Sequence, residues 1–206
     1  MTGRLLLLRH GQTEWARDGR HTGLTDVELT ETGEQQALEA GPMVRRLLRG
    51  AQPAITLTSP LLRAHRTAEL AGLSAEPAAG LVEWDYGGYE GLTAAQIREQ
   101  AGPDWTVFTH GVVPGPTPGE TLVEVAARVR AVLERVRPAL RGGDVVVVGH
   151  GHALRVLAAC WLGAEPTLGA QLLLDPAGIG VLVERYEQPA LEHWNLLSAS
   201  RTPEWA

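Results

Sequence analysis

Two short apolar runs constrain this chain more than any other feature. Residues 5–8 are four leucines and residues 145–148 are four valines. Neither run alternates with polar residues. Each therefore reads as a strand buried on both faces, as in a parallel sheet covered by helices. A histidine and then a glycine follow each run: Arg9-His10-Gly11 after the leucines, Gly149-His150-Gly151 after the valines. Ligands of open α/β sheets bind at the carboxyl ends of the strands, which is where both histidines fall. If the two strands are parallel neighbours, His10 and His150 face each other there.

The segments between these runs alternate between strand and helix patterns. Residues 10–29 read as a polar loop, and Thr32-Gly33-Glu34-Gln35 as a capping box opening a helix that ends near Leu48. Residues 54–58 predict a short strand. Ser59-Pro60 starts a helix to about Gly72, with the proline where its missing N–H costs little. Residues 75–92 read as extended or loop. Thr93 caps a short helix over 93–101. Residues 111–119 are a Pro- and Gly-rich loop, and 120–140 a long amphipathic helix. Residues 152–162 predict a helix, and 172–174 and 180–186 two strands around Asp175-Pro176. Residues 191–197 fit strand or helix equally. The alternation predicts a single domain over residues 1–206, a three-layer α/β/α sandwich with a mainly parallel sheet.

Composition narrows the function classes. The chain has 206 residues, a net charge of −6 and 18 basic side chains, all arginine. The absence of lysine excludes lysine Schiff-base chemistry and a P-loop lysine. No basic run exceeds Arg45-Arg46, so nucleic acid is not an expected partner. No apolar stretch approaches bilayer length, and too few residues precede Arg9 for a signal-peptide core. A membrane partner is not expected, and the expected location is the cytoplasm. Cys160 is the only cysteine and reads as a packing residue.

The polar residues at the strand ends form a chemically coherent set. Arg9, His10 and His150 follow the two apolar runs, Arg63 lies in the first turns after Ser59-Pro60, and Glu83 lies in the 75–92 loop. Guanidinium groups bind phosphate oxygens bidentately and stay charged at working pH. Phosphoryl transfer demands mainly positioning and charge neutralisation, and a carboxylate could protonate a leaving alkoxide and then deprotonate water. A histidine nucleophile must be neutral. Arg9 and Arg63 would keep His10 so, and a backbone carbonyl accepting from one ring nitrogen would fix the tautomer. Gly11 would let backbone approach that ring or the phosphate.

At this point the chain resembles a known family. Leu-Leu-Arg9-His10-Gly11-Gln12-Thr13-Glu14-Trp15 is similar to the signature of the histidine phosphatase superfamily, which includes the cofactor-dependent phosphoglycerate mutases. Thr22-Gly23-Leu24-Thr25, residues 29–33, Ser59-Pro60-Leu61-Leu62-Arg63-Ala64, Glu83-Trp84-Asp85-Tyr86-Gly87 and Val148-Gly149-His150-Gly151 match in family order. The resemblance implies that His10 is the phosphorylated nucleophile. It implies that Arg9, Arg63 and His150 form the phosphate pocket and that Glu83 is the proton donor and acceptor. It also implies a phosphoglycerate mutase-like fold.

Mutase and phosphatase share the phosphohistidine and differ in what accepts the phosphoryl group. A mutase must hold a doubly phosphorylated acid and exclude water, which needs extra cations and a lid. His150 follows Glu83 by only 67 positions, a segment shorter than the mutase lid. From Trp84 to Ala127 the only basic residue besides His110 is Arg98. Ala16 stands where the mutase pattern has Asn. The chain is therefore most similar to the short bacterial broad-specificity acid phosphatases. It is expected to hydrolyse a small phosphorylated metabolite without a cofactor or metal. An entrance lined by Trp84, Tyr86, Tyr89, Trp105 and Phe108 would tolerate partly apolar phosphomonoesters.

Several residues keep competing readings. Asp85 and Glu90 rival Glu83 as loop carboxylates, and family register favours Glu83. Gln12 and Thr13 either cap backbone or contact phosphate, and Thr22-Gly23 could offer backbone donors. His152 either starts its helix or reaches substrate at the pocket rim. His21, His65, His110 and His193 read as surface or packing residues. A different class, a zinc hydrolase, could use His10, His150 and His152, but Arg9 would lie beside the cation and strand-end carboxylates are scarce. A non-catalytic phosphate-binding module is the third reading. An antiparallel strand at the sheet edge could pair across a two-fold axis to make a homodimer.

Overall fold

A computed structural model describes residues 3–200, so the first two and last six positions of the expected domain lie outside the described residues. Its strands are β1 (Leu5–Arg9), β2 (Ile55–Thr58), β3 (Glu76–Pro77), β4 (Val145–Gly149), β5 (Ile179–Arg185) and β6 (Gln188–Leu196). They form one sheet in the order β3-β2-β4-β1-β5-β6. The four neighbours β3, β2, β4 and β1 run parallel, and β5 and β6 add on antiparallel. The helices are α1 (Glu14–Arg17), α2 (Glu31–Leu47), α3 (Leu62–Leu70), α4 (Ala94–Ala101), α5 (Val107–His110), α6 (Leu122–Val136) and α7 (Gly151–Trp161). The sheet is mixed and flanked by helices on both sides, as the three-layer reading expects. None of the described helices is long and apolar enough to cross a membrane.

The leucine and valine runs are the inner pair of the sheet. Leu5 lies opposite Val145 and Arg9 opposite Gly149, one residue per step between. Side chains alternate along a strand, so each run feeds two cores. Leu5, Leu7, Val145 and Val147 pack towards α6 and α7, whereas Leu6, Leu8, Val146 and Val148 pack towards α2 and α3. All eight are buried. Fully burying one such side chain contributes roughly 1.5–3 kcal/mol. The apolar pairing decides the register.

The helix starts follow local chemistry, with some shifts from expectation. Thr93 caps α4 and Thr121 caps α6, each in a reciprocal capping box with Gln96 or Glu124. The cap of α2 is Thr30, not Thr32: its side chain accepts from the Gly33 N–H. α3 begins at Leu62 rather than at Ser59-Pro60. The Leu61 N–H donates to Ser59 Oγ and the Leu62 N–H to Asp26, so a distant loop carboxylate completes the start. The short helices α1 and α5 were not expected from the sequence.

The region after residue 165 departs most from expectation. Residues 172–174 form no strand. The carbonyls of Leu173 and Leu174 accept from Trp194 Nε1 and Arg9 Nη1, so side chains rather than a ladder use them. Of the ambiguous segment 191–197, residues 191–196 are strand, the end of β6. Its pairing with β5 is irregular, and Asn195 takes a positive φ of 55° while its side chain ties Asp175.

Gly11 is needed for a reason beyond the expected one. A Cβ there would stand 2.2 Å from the Gly33 carbonyl oxygen, where the first turn of α2 crosses the chain after β1. The missing side chain makes room for α2, while the Gly11 carbonyl does approach the His10 ring, as expected. Gly11→Ala is expected to destabilise the protein by about 1–3 kcal/mol through overpacking, read as a lowered midpoint in urea unfolding.

Candidate active site

His10 and His150 are the first residues past the paired ends of β1 and β4, and the His10 N–H donates to the Gly149 carbonyl at 2.9 Å. The register therefore puts the imidazoles together: their centroids are 5.1 Å apart, at 60°. His10 Nδ1 lies 2.7 Å from its neighbour's carbonyl, Gly11 O. A carbonyl only accepts, so Nδ1 carries the hydrogen and the Nε2 lone pair is left for attack. Burial, then the charges of Arg63 and Arg9, holds His10 well below the usual imidazole range. It stays neutral at neutral pH, as a nucleophile requires.

His150 is tied on both sides. Its Nδ1 accepts from Arg63 Nε at 3.1 Å, and its Nε2–H donates to Ser59 Oγ at 2.7 Å. Burial and Arg63 also push this imidazole well down. Arg63 is fully buried on α3 and donates besides to the carbonyls of Thr22, Gly23 and Thr25. Arg63 and His150 thus stand behind His10 as a charged, hydrogen-bonded backing, while Arg9 lines the cavity itself. Tying both nitrogens of His150 also leaves the His10, His150 and His152 zinc set unassembled. Among the described residues no group of three or more His, Cys, Asp or Glu is placed to hold a metal ion.

The cavity in front of His10 has a volume of about 220 Å³. Of the three rival carboxylates only Glu83 lines it. Asp85 is spent on Gly87 N, Thr117 Oγ1 and Gly119 N, and Glu90 on the N–H groups of Gly23 and Thr25. Glu83 accepts from the N–H of Trp84 at 2.9 Å, of His152 at 3.0 Å and of Ala153 at 2.8 Å. Two of these donors open α7, so the helix that follows His150 also fixes the carboxylate.

Other site expectations are revised. Thr13 is buried and caps α1 through Ala16 N, and Gln12 bonds Thr30 and Gln36; neither lines the cavity. Thr22 does line it, whereas the Gly23 N–H is occupied by Glu90. His152 lines the cavity as well as starting α7, with its Nδ1 2.6 Å from the Tyr86 hydroxyl. The aromatic entrance is not formed: Trp84, Tyr89, Trp105 and Phe108 are buried in the core, and of the five only Tyr86 reaches the cavity. The expected tolerance of apolar groups therefore loses the aromatic lining it was argued from.

Three lining residues had no signal in the sequence. His21, expected at the surface or in packing, stands against Tyr86 and Trp105, and Arg20 and Arg155 complete the rim. Arg155 is held by the carbonyls of Gly169 and Ala170 and lies over Phe108. Only its spacing from His152, three residues and so about one helical turn along α7, could have drawn attention to it.

Comparisons with known proteins agree with this geometry. Residues 5–197 match the histidine phosphatase superfamily (branch 1). The chain is 42% identical over 179 residues to an acid phosphatase of Mycobacterium tuberculosis, covering 86% of this chain and 85% of that protein. It is 38% identical to a sedoheptulose 1,7-bisphosphatase of Saccharomyces cerevisiae, over 79% of this chain and 69% of that one. It is 34% identical to a 2,3-bisphosphoglycerate-dependent phosphoglycerate mutase of Mesorhizobium japonicum, over 89% and 91%. The solved structure of a Mycobacterium tuberculosis open reading frame product superposes with a TM-score of 0.89 at 39% identity, covering 96% of this chain and all of that one.

The buried neutral imidazoles predict a pH effect on stability. His10 and His150 bind protons less readily folded than unfolded, where the value is 6.5. Below that value the unfolded chain takes up more protons, so stability present above it is lost as pH falls. Each imidazole adds to the loss until the pH reaches its lowered folded-state value. Urea unfolding at neutral pH and at about pH 5 checks this: an unfolding free energy that does not decline would contradict it.

Proposed function

The chain belongs to the histidine phosphatase superfamily, and from that premise we propose that it is a phosphatase that hydrolyses small phosphomonoesters through a phosphohistidine on His10. The observation that carries this reading is the lock on His10: Nδ1–H on the Gly11 carbonyl, a neutral ring between two arginines, and Nε2 beside a cavity that also holds Glu83. Nε2 forms the bond to phosphorus as the ester P–O bond breaks, and the alkoxide takes a proton from Glu83. Water, deprotonated by the same carboxylate, then attacks phosphorus, the P–N bond breaks, and inorganic phosphate leaves. Arg9 lines the cavity as a phosphate ligand. Arg63 supplies charge from behind and keeps His150 in the tautomer that donates from Nε2. The three backbone N–H groups on Glu83 hold the carboxylate in one place through both half-reactions.

Hydrolysis is favoured over mutase transfer by what the segment after Glu83 does. Arg98, its only arginine up to residue 127, bonds the Trp105 carbonyl and does not line the cavity. The aromatic residues of this segment are locked into the core. A chain packed in this way is poorly suited to close over an intermediate and exclude water.

His10→Ala is expected to lower phosphate release from phosphomonoesters by at least about 10³-fold while leaving the protein folded. Glu83→Gln is expected to lower it by about 10²–10⁴-fold. Intact-mass spectrometry of the quenched wild type is expected to show one acid-labile phosphoryl group, absent from His10→Ala. A high rate of phosphoglycerate interconversion with negligible phosphate release would instead establish the mutase reading.

A further inference from the structure

His21 and His152 line the cavity as near-parallel neighbouring imidazoles, with centroids 6.0 Å apart and planes within 7°. The wall occupies one nitrogen of each ring, and it does so in opposite senses. His21 Nδ1 lies 3.0 Å from the Leu92 carbonyl, an obligate acceptor, so Nδ1 carries hydrogen and Nε2 is an acceptor. His152 Nδ1 lies 2.6 Å from the Tyr86 hydroxyl. That phenol is buried and has no other hydrogen-bond acceptor among the described residues, so its O–H is satisfied by donating to Nδ1. His152 therefore carries its hydrogen on Nε2. Neither Nε2 has a hydrogen-bond partner among the described residues, and both rings line the cavity. Burial pushes both imidazoles down, which keeps them neutral.

We propose that His21 and His152 are specificity residues that read the leaving group of the substrate as one acceptor and one donor, and that this selects phosphomonoesters of polyhydroxylated carbon chains. A hydroxyl can both donate to His21 and accept from His152. An alkyl group satisfies neither nitrogen. An ammonium could donate to His21, but Arg20 and Arg155 on the same rim repel it. The proposal rests on the phosphomonoester reading above and adds to it the class of alcohol released.

Two measurements test it independently. In long-range proton–nitrogen correlation spectra of the whole protein at neutral pH, His152 is expected as the Nε2–H tautomer and His21 as Nδ1–H. Either ring in the other tautomer, or charged, overturns the assignment. In steady-state assays kcat/KM for glycerol 3-phosphate is expected to exceed that for n-propyl phosphate by about tenfold or more. His21→Phe is expected to bring the ratio towards one, as is Tyr86→Phe, which releases the His152 tautomer. A ratio near one in the wild type, or one unchanged in both variants, overturns the proposal. Binding of the same two esters to His10→Ala, which cannot turn over, separates the two readings. Preferential binding of the polyol ester, with no phosphate released by wild type, would remove the hydrolytic reading and support this one. Turnover of both esters at equal efficiency would do the reverse.

Discussion

The parallel pairing of β1 with β4 is the constraint on which the rest of the structure depends. Its register is held by eight buried aliphatic side chains feeding two cores, so a slip of one residue would turn every one of them to the wrong face. The same register leaves His10 and His150 side by side where both strands leave the core. The other polar groups of the candidate site are arranged around that pair. α3 delivers Arg63 to the back of His150, and Ser59, at the end of β2, takes the other nitrogen.

Several polar groups in this region are ordered by backbone, whereas His150 and His152 are held by the side chains of Arg63, Ser59 and Tyr86. The Gly11 carbonyl sets the tautomer of His10, the Leu92 carbonyl sets that of His21, and three backbone N–H groups hold Glu83. Backbone partners are positioned by secondary structure and cost little further ordering. The consequence is a site of neutral imidazoles and fixed guanidiniums, with orientations largely decided before a ligand arrives. Such preorganisation suits a reaction in which charge on the phosphoryl oxygens must be met without rearrangement.

The reading of the sequence was strongest where chemistry and packing coincide. His10, Arg9, Glu83 and His150 could be located because apolar runs mark strand ends and ordered motifs mark the loops between. It was weakest where one residue type serves two purposes. Thr13 and Gln12 carry groups that suit phosphate but are used to cap α1 and to bond Thr30 and Gln36. Trp84, Tyr89, Trp105 and Phe108 looked like an entrance because aromatic residues sit in a loop, yet that loop folds inward and fills the core. Residues 172–174 looked like a strand, but their carbonyls are taken by Arg9 and Trp194, side chains remote in sequence.

By itself the sequence determined the two central strands, the histidines at their ends and the family the chain belongs to, because short-range hydrophobic pattern and residue order are enough for these. Only the tertiary structure decided which groups face the cavity. Arg63 and His150 lie behind His10, Asp85 and Glu90 are diverted to loop backbone, and His21, Arg20 and Arg155 arrive at the rim from segments far apart in the chain. The physical reason is that a side chain's role depends on which hydrogen-bond partners reach it first. Those partners are fixed by chain crossings that no local pattern encodes.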